Sequence, residues 1–150
     1  MWKTVRLIMD SRTDLAEYLC QVKDWFPTQR TFEAIVFDNG REFAPPVTAR
    51  PKGIKKGRDK QCFRNAYRLM DRCGYRYVEG FVMACGIPIH HAWVIDEKDN
   101  VIETTWAEVG QAYYGIEFDE KFINTVVLET RTYGVLDFTS KTFRKYAEAQ

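Results

Sequence analysis

Residues 75–106 read YRYVEGFVMACGIPIHHAWVIDEKDNVIETTW. Tyr75 to Cys85 is dense in Tyr, Val, Phe and Met, side chains that suit a packed, pleated surface, and is expected to be a strand. Gly86 and Pro88 break it. Ile89 to Asp96 reads as a second strand, and Glu97-Lys98-Asp99-Asn100 as a polar turn. Val101 to Trp106 then forms a third strand, a hairpin with the second. Side chains alternate between the two faces of a strand. His90 and His91 therefore point to opposite sides, and at most one joins a given site. Glu103 comes across the hairpin from His91 and, with one extra residue in the turn, shares its face. Asp96, five places beyond His91, falls on the other face.

Upstream of the strands the period changes. Phe63, Ala66, Tyr67 and Met70 recur at i, i+3, i+4 and i+7, which predicts a helix from Gln61. Arg72 lies near its end and Gly74 suits its termination. Cys62 is thereby placed in the first turn, where unpaired N–H groups and the positive end of the helix dipole stabilise a thiolate. The same groups can hold a developing oxyanion, and an ordinary thiol pKa of about 8.5 is expected to fall there. Cys73 sits at the opposite end of the dipole, Cys85 in the strand and Cys20 in an earlier helix. Position alone favours Cys62 over the other three cysteines as a reactive thiol.

The segment immediately before it, residues 44–60 (APPVTARPKGIKKGRDK), holds three prolines and two glycines and is expected to be irregular. Six cations, Lys55, Lys56 and Arg58 among them, face the single acid Asp59, a local charge of +5 in a chain whose formal charge is +1. A solvated loop is the favoured reading, and a contact for phosphates or an acidic partner is the alternative. Elsewhere, Ser11 to Trp25 reads as a helix ended by Pro27, and residues 31–37 as a strand. That strand returns through Asp38-Asn39-Gly40 to Arg41–Phe43 as a hairpin. Residues 2–9 are expected to be a short strand, Tyr113-Tyr114-Gly115 a loop, 119–131 a helix or a strand, and 138–148 a helix.

These elements make an α+β protein, N-terminal helices packed on an antiparallel sheet, in a single domain over residues 1–150. A hydrophobic share of 45%, with 15% aromatic, excludes disorder. A chain of this size buries about 70% of its unfolded surface and needs neither disulfides nor metal to fold. No apolar run approaches a membrane span, and Lys3 and Arg6 interrupt the N-terminal stretch where a signal peptide needs its apolar core. A cytoplasmic protein with reduced cysteines is the expectation. No two cysteines form C-x-x-C, which argues against zinc, and strand alternation argues against a two-histidine metal site.

Gln61-Cys62 opening a helix, Tyr77-Val78-Glu79-Gly80 in a strand, His91-Ala92-Trp93 on the next, and Val101-Ile102-Glu103-Thr104-Thr105-Trp106 closing it are similar to a known pattern. Over residues 61–106 the chain resembles the core of transglutaminase-like cysteine enzymes, within the broader papain-like group. Small phage and bacterial proteins of this kind also carry a segment like Tyr113-Tyr114-Gly115. The resemblance implies Cys62 as nucleophile and His91 as base. Glu103 stands where the family has Asp, one methylene longer, and orients the imidazole. Gln61 and the helix-start N–H groups hold the oxyanion, and Trp93 supports the site. The implied activity is that of a cysteine hydrolase or acyltransferase acting on an amide bond of a protein or peptide through an acyl-enzyme. It uses no cofactor or metal, and acts in the host cytoplasm if phage-encoded. Water as acceptor gives peptidase or deamidase chemistry and an amine gives transamidation; both stay open. The alternative is a catalytically silent binding module on the same fold, using residues 44–60 to contact an acidic protein or nucleic acid.

Overall fold

The computed structural model describes residues 11–149. Its elements run α1 (Ser11–Trp25), α2 (Phe32–Asn39), β1 (Arg41–Phe43), α3 (Cys62–Cys73), β2 (Arg76–Ala84) and β3 (Ile87–Ile95). They continue with β4 (Val101–Ile102), β5 (Ala112–Glu117), α4 (Glu120–Thr130) and α5 (Lys141–Glu148). The strands form one antiparallel sheet in the order β1-β5-β2-β3-β4.

β2 is the centre of the sheet. It pairs with β3 from Arg76↔Ile95 to Ala84↔Ile87, and with β5 from Val78↔Glu117 to Met83↔Ala112. Residues 77–83 are all buried, so both faces of the strand must be covered. The two-residue period sorts its side chains. Tyr77, Phe81 and Met83 join the larger core with Leu15, Leu19, Ile35, Ala66, Met70 and Phe143 of the helices. Val78 and Val82 join a smaller core with Phe43, Trp93, Ile95, Val101 and Tyr113, closed by Trp106 and Val109. The α+β class and the antiparallel sheet agree with expectation. The helices are not confined to the N-terminal side, however, since α4 and α5 follow the last strand.

Several expected boundaries are corrected. Residues 31–37 are not a strand but most of α2. The Thr31 hydroxyl accepts from the Ala34 N–H at 3.1 Å, a helix N-cap, and Ala34, Ile35 and Val36 are buried together. Capping and burial override the strand preference of Ile and Val. The helix runs through Asp38-Asn39 and ends with the Gly40 N–H on the Val36 carbonyl at 2.7 Å. With residues 32–39 helical, β1 does not form the expected hairpin and pairs with β5 instead, Phe43 opposite Tyr113 and Arg41 opposite Gly115. Tyr113-Tyr114-Gly115 is accordingly strand rather than loop. Residues 119–131 resolve as α4, with the Asp119 carboxylate accepting from the Phe122 N–H at 2.9 Å. Val101–Trp106 pairs only at Val101 and Ile102, and Cys85 leaves the strand for a tight turn with φ of 50°. The strand expected over 2–9 lies outside the described residues.

Residues 44–60 form no helix or strand, as expected, yet they are not merely solvated. The Glu103 N–H donates to Ala49 O at 2.8 Å and the Gly57 N–H to Thr104 O at 2.8 Å. Arg50 donates to the carbonyls of Glu103 and Trp106 at 2.7 and 2.8 Å. The segment braces the chain after β4. Among the described residues no helix is long and apolar enough to cross a membrane.

The central strands approach so closely that side chains are excluded at Gly80 and Gly115, which face each other across β2 and β5. A Cβ on Gly80 would lie 2.2 Å from Tyr114 O, and one on Gly115 2.7 Å from the Trp93 ring. Gly80→Ala is therefore expected to lower stability by about 1–3 kcal/mol in urea denaturation, the range for overpacking. Leu128→Ala, at a side chain 78% exposed, is expected to change it by less than about 0.5 kcal/mol. Equal effects would show that the close approach does not constrain the sheet.

Candidate active site

Among the described residues, two carboxylates without exposed surface lie on opposite faces of the sheet, Glu79 and Glu103. A buried carboxylate is tolerated only when its oxygens are met by donors. Glu103 follows β4 directly. Its Oε1 accepts from His91 Nε2 at 2.9 Å and from the Tyr113 hydroxyl at 3.1 Å. Its Oε2 accepts from the N–H groups of Thr105 and Trp106 at 2.8 and 3.0 Å. Burial opposes ionisation of Glu103, but the bond and charge of His91 and these two N–H groups outweigh it and hold the carboxyl below its ordinary value.

His91 is 1% exposed, and its ring lies flat against Trp106 at 3.9 Å between centroids and 14° between planes. The expected pairing of His91 with Glu103 is present, although the ladder register sets the backbone of Glu103 one step past the last β3–β4 pair, Val94↔Ile102. With Nε2 taken by Glu103, Nδ1 is the ring nitrogen left for a reacting group. Trp93 packs edge-on against Tyr113 and Phe43 at 5.1 and 5.8 Å, and so backs the tyrosine that donates to Glu103. Trp106 was part of the quoted motif but carried no expected role; a tryptophan closing an otherwise polar Glu-Thr-Thr run was the available signal.

Glu79 is a functional candidate that sequence reasoning missed. Its Oε1 accepts from the Tyr77 hydroxyl at 2.6 Å and the Val135 N–H at 2.7 Å. Its Oε2 accepts from His90 Nε2 and the Leu136 N–H, both at 2.9 Å. The alternation that separates the histidines is thus realised, and each imidazole has its own carboxylate. His90 lies on the helix-bearing face, 4.9 Å from the Phe63 ring of α3. The signal for Glu79 was a lone acid inside the apolar run of β2.

Cys62 heads α3 and is half-buried. The first bond to close within the helix runs from the Asn65 N–H to Gln61 O at 2.8 Å, so the N–H groups of residues 62–64 have no carbonyl inside it. Gln61 does not cap them; its side-chain oxygen accepts from Arg64 at 3.0 Å. β4 covers the edge of β3 only at Val94 and Ile95, which leaves Ala92 on the uncovered stretch. The expected lowering of the thiol pKa does not occur. Burial is the largest influence and, with the charges of Glu79 and Glu103, raises it to about 11 against the N–H groups of Ala92 and Phe63. No hydrogen bond joins the sulfur to either imidazole in this resting arrangement.

Asn65, one turn along, is buried. Its NH2 donates to Arg58 O and Thr105 Oγ1, both at 2.9 Å, tying α3 to the basic segment and to the residues after Glu103. Lys55, Lys56 and Arg58 lie beside Gln61 around a cavity of about 230 Å³. A separate cavity of about 440 Å³ lies at the other end of α3 and contains none of these groups. Among the described residues, no group of three or more His, Cys, Asp or Glu side chains is placed to hold a metal ion.

Two titrations follow. In a variant with Cys20, Cys73 and Cys85 replaced by Ser, absorbance of the thiolate should appear near pH 11, with no step between pH 5 and 8. Glu103→Gln removes one of the raising charges and should move that step down. A step below about 8.5, the ordinary thiol value, would restore the dipole-activated thiolate. Glu103 itself has a lowered pKa, so its contribution to stability is complete above the ordinary carboxyl value of about 4.3 and is lost as pH falls through the lower folded value. Unfolding free energy measured from pH 7 to 2 should therefore drop less steeply in Glu103→Gln than in the parent. Parallel curves would remove Glu103 from the acid response.

Comparison with known proteins returns no match: no protein-family model, no curated protein and no solved structure aligns significantly with the chain. The chemistry of the site is read from its own residues and distances.

Proposed function

We propose that the protein is a cysteine acyl-transfer enzyme of the transglutaminase-like kind, with Cys62 as nucleophile, His91 as base and Glu103 orienting the base. One observation carries the reading. Glu103 holds Nε2 of the buried His91 imidazole and leaves Nδ1 free, and the N–H of Ala92, the residue after His91, is one of the groups that lower the pKa of the Cys62 thiol at the head of α3. The pKa of that thiol makes the resting nucleophile an S–H group, so proton removal accompanies attack instead of preceding it.

The cycle conserves atoms and protons. Sγ bonds to the acyl carbon while its proton passes to His91 Nδ1. The N–H groups at the start of α3, with the Gln61 amide, stabilise the oxygen that becomes negative. The carbon–nitrogen bond then breaks, and His91 returns the proton to the departing amine. A second nucleophile, activated by the same imidazole, releases the acyl group. Water yields the acid and an amine yields a new amide. Glu103 stabilises the imidazolium present between the two transfers and fixes which nitrogen faces the sulfur. Trp106 keeps water off one face of the ring, strengthening that ion pair.

The test follows acylation of Cys62 by a peptide thioester, read by mass spectrometry of the intact protein. His91→Ala should slow acylation by roughly 10²–10⁴-fold, the usual range for a general base. His90→Ala should cost far less. Glu103→Gln should slow acylation even though it eases ionisation of the thiol, and Glu103→Asp should retain more activity than Glu103→Gln. A larger loss from His90→Ala would transfer the role of base to His90 with Glu79. An unmodified Cys62 in the parent protein would end the enzymatic reading and leave a binding module.

A further inference from the structure

The six cations of residues 44–60 are not spread evenly over the surface, and α3 adds more. The cavity beside Gln61 is walled by Lys55, Lys56 and Arg58 from the segment before the helix and by Arg68 from its second turn. Lys56 pairs with Asp59 at 2.5 Å, but that carboxylate is 82% exposed and lies toward solvent. Lys55, Arg58 and Arg68 make no ion pair among the described residues. Like charges gathered around one concavity repel each other, and an anion seated among them relieves that repulsion.

The wall is built, not draped. A Cβ on Gly57 would lie 2.2 Å from the Asn65 side chain, so the backbone of the segment is pressed directly on the helix. Asn65 then clamps Arg58 O, and the Gly57 N–H is fixed on Thr104 O. These bonds fix the backbone that carries Lys55, Lys56 and Arg58 against α3. Gln61 lines this cavity and also a second one of about 330 Å³, which contains Lys60, Phe63, Arg64 and Tyr133. The residue preceding the proposed nucleophile thus lines two hollows, and both carry cations.

We infer that the acyl substrate is an acidic peptide, with a carboxylate side chain near the scissile amide that seats among Lys55, Lys56, Arg58 and Arg68. This identification rests on the acyl-transfer reading of Cys62. A volume of about 230 Å³ is several times the roughly 30 Å³ share of one water, room for an acidic side chain and its hydration. The geometry favours a peptide over a nucleic acid. The cations line a concavity that is open to solvent, and the chain as a whole carries only +1, little for a binder of a phosphate backbone.

The experiment measures binding, not turnover, by fluorescence polarisation on the intact chain. Three labelled probes are compared: a peptide containing two glutamates, the same peptide with glutamines, and a single-stranded oligonucleotide. The glutamate peptide should bind at least about tenfold more tightly than the glutamine peptide at low salt, and the difference should shrink as salt rises. Lys55→Glu combined with Arg68→Glu should abolish that preference, while Lys141→Glu combined with Lys145→Glu, on exposed α5, should preserve it. Circular dichroism melts check folding, and Lys55→Ala alone replaces the pair if the pair does not fold. Equal affinity for the two peptides overturns the inference. So does oligonucleotide binding that is tighter and lost in the same variants, which would make the hollow a phosphate-backbone site. Failure of Cys62 acylation with the peptide preference intact would reject the chemistry alone, and the reverse would reject only the substrate class.

Discussion

A carboxylate sealed from water has to be met by donors on both oxygens, and the described residues include two. Glu79 and Glu103 each accept four hydrogen bonds, and each set follows the same plan: one imidazole, one tyrosine hydroxyl and two consecutive backbone N–H groups. Removing one donor from such a cluster leaves part of a buried carboxylate unsatisfied, a loss on the order of 1–3 kcal/mol. The loops that supply the N–H groups are therefore as constrained as the strands. Residues 103–106 turn back on the Glu103 side chain, and residues 135–136 reach from beyond α4 to Glu79. The sheet separates the two clusters, and the strand period decides which histidine belongs to which.

That arrangement explains why the helix start fails to ionise its cysteine. A dipole of about half a charge acts through a few N–H groups. Two full negative charges lie nearby, and the sulfur is largely withdrawn from water. Desolvation and the carboxylates win over the dipole. Position at a helix N-terminus is thus an incomplete argument for a thiolate, because the field of the rest of the fold is added to it.

Elements whose signal is local were readable in the sequence. The helix from Gln61 to Gly74 has an apolar stripe and a left-handed glycine at its end, and Arg76–Ala84 and Ile87–Ile95 carry strand composition with a clear break between them. The pairing of His91 with Glu103 was legible because it follows from alternation across one hairpin. What was not legible depends on distant partners. Residues 32–39 have strand-like side chains but are buried as a helix, and Tyr113–Gly115 looked like a turn until β1 and β2 came to flank it. Glu79 was quoted as part of a motif without a role, since two of its donors lie 56 and 57 residues further on.

That separation in the chain has a consequence for synthesis. His91 and Glu103 are 12 residues apart, and their pair can close almost as soon as both have been made. Glu79 must wait for Val135 and Leu136. At ribosomal rates of roughly 5–20 residues per second, the 56 residues to Val135 take roughly 3–11 seconds. Throughout that interval the central strand carries an acid with two donors missing, and the face destined for the larger core remains open. The helix-side cluster therefore acts as a late latch. The local hairpin can be formed while the fold is still incomplete, and only arrival of the chain beyond α4 closes the second carboxylate and seals the central strand.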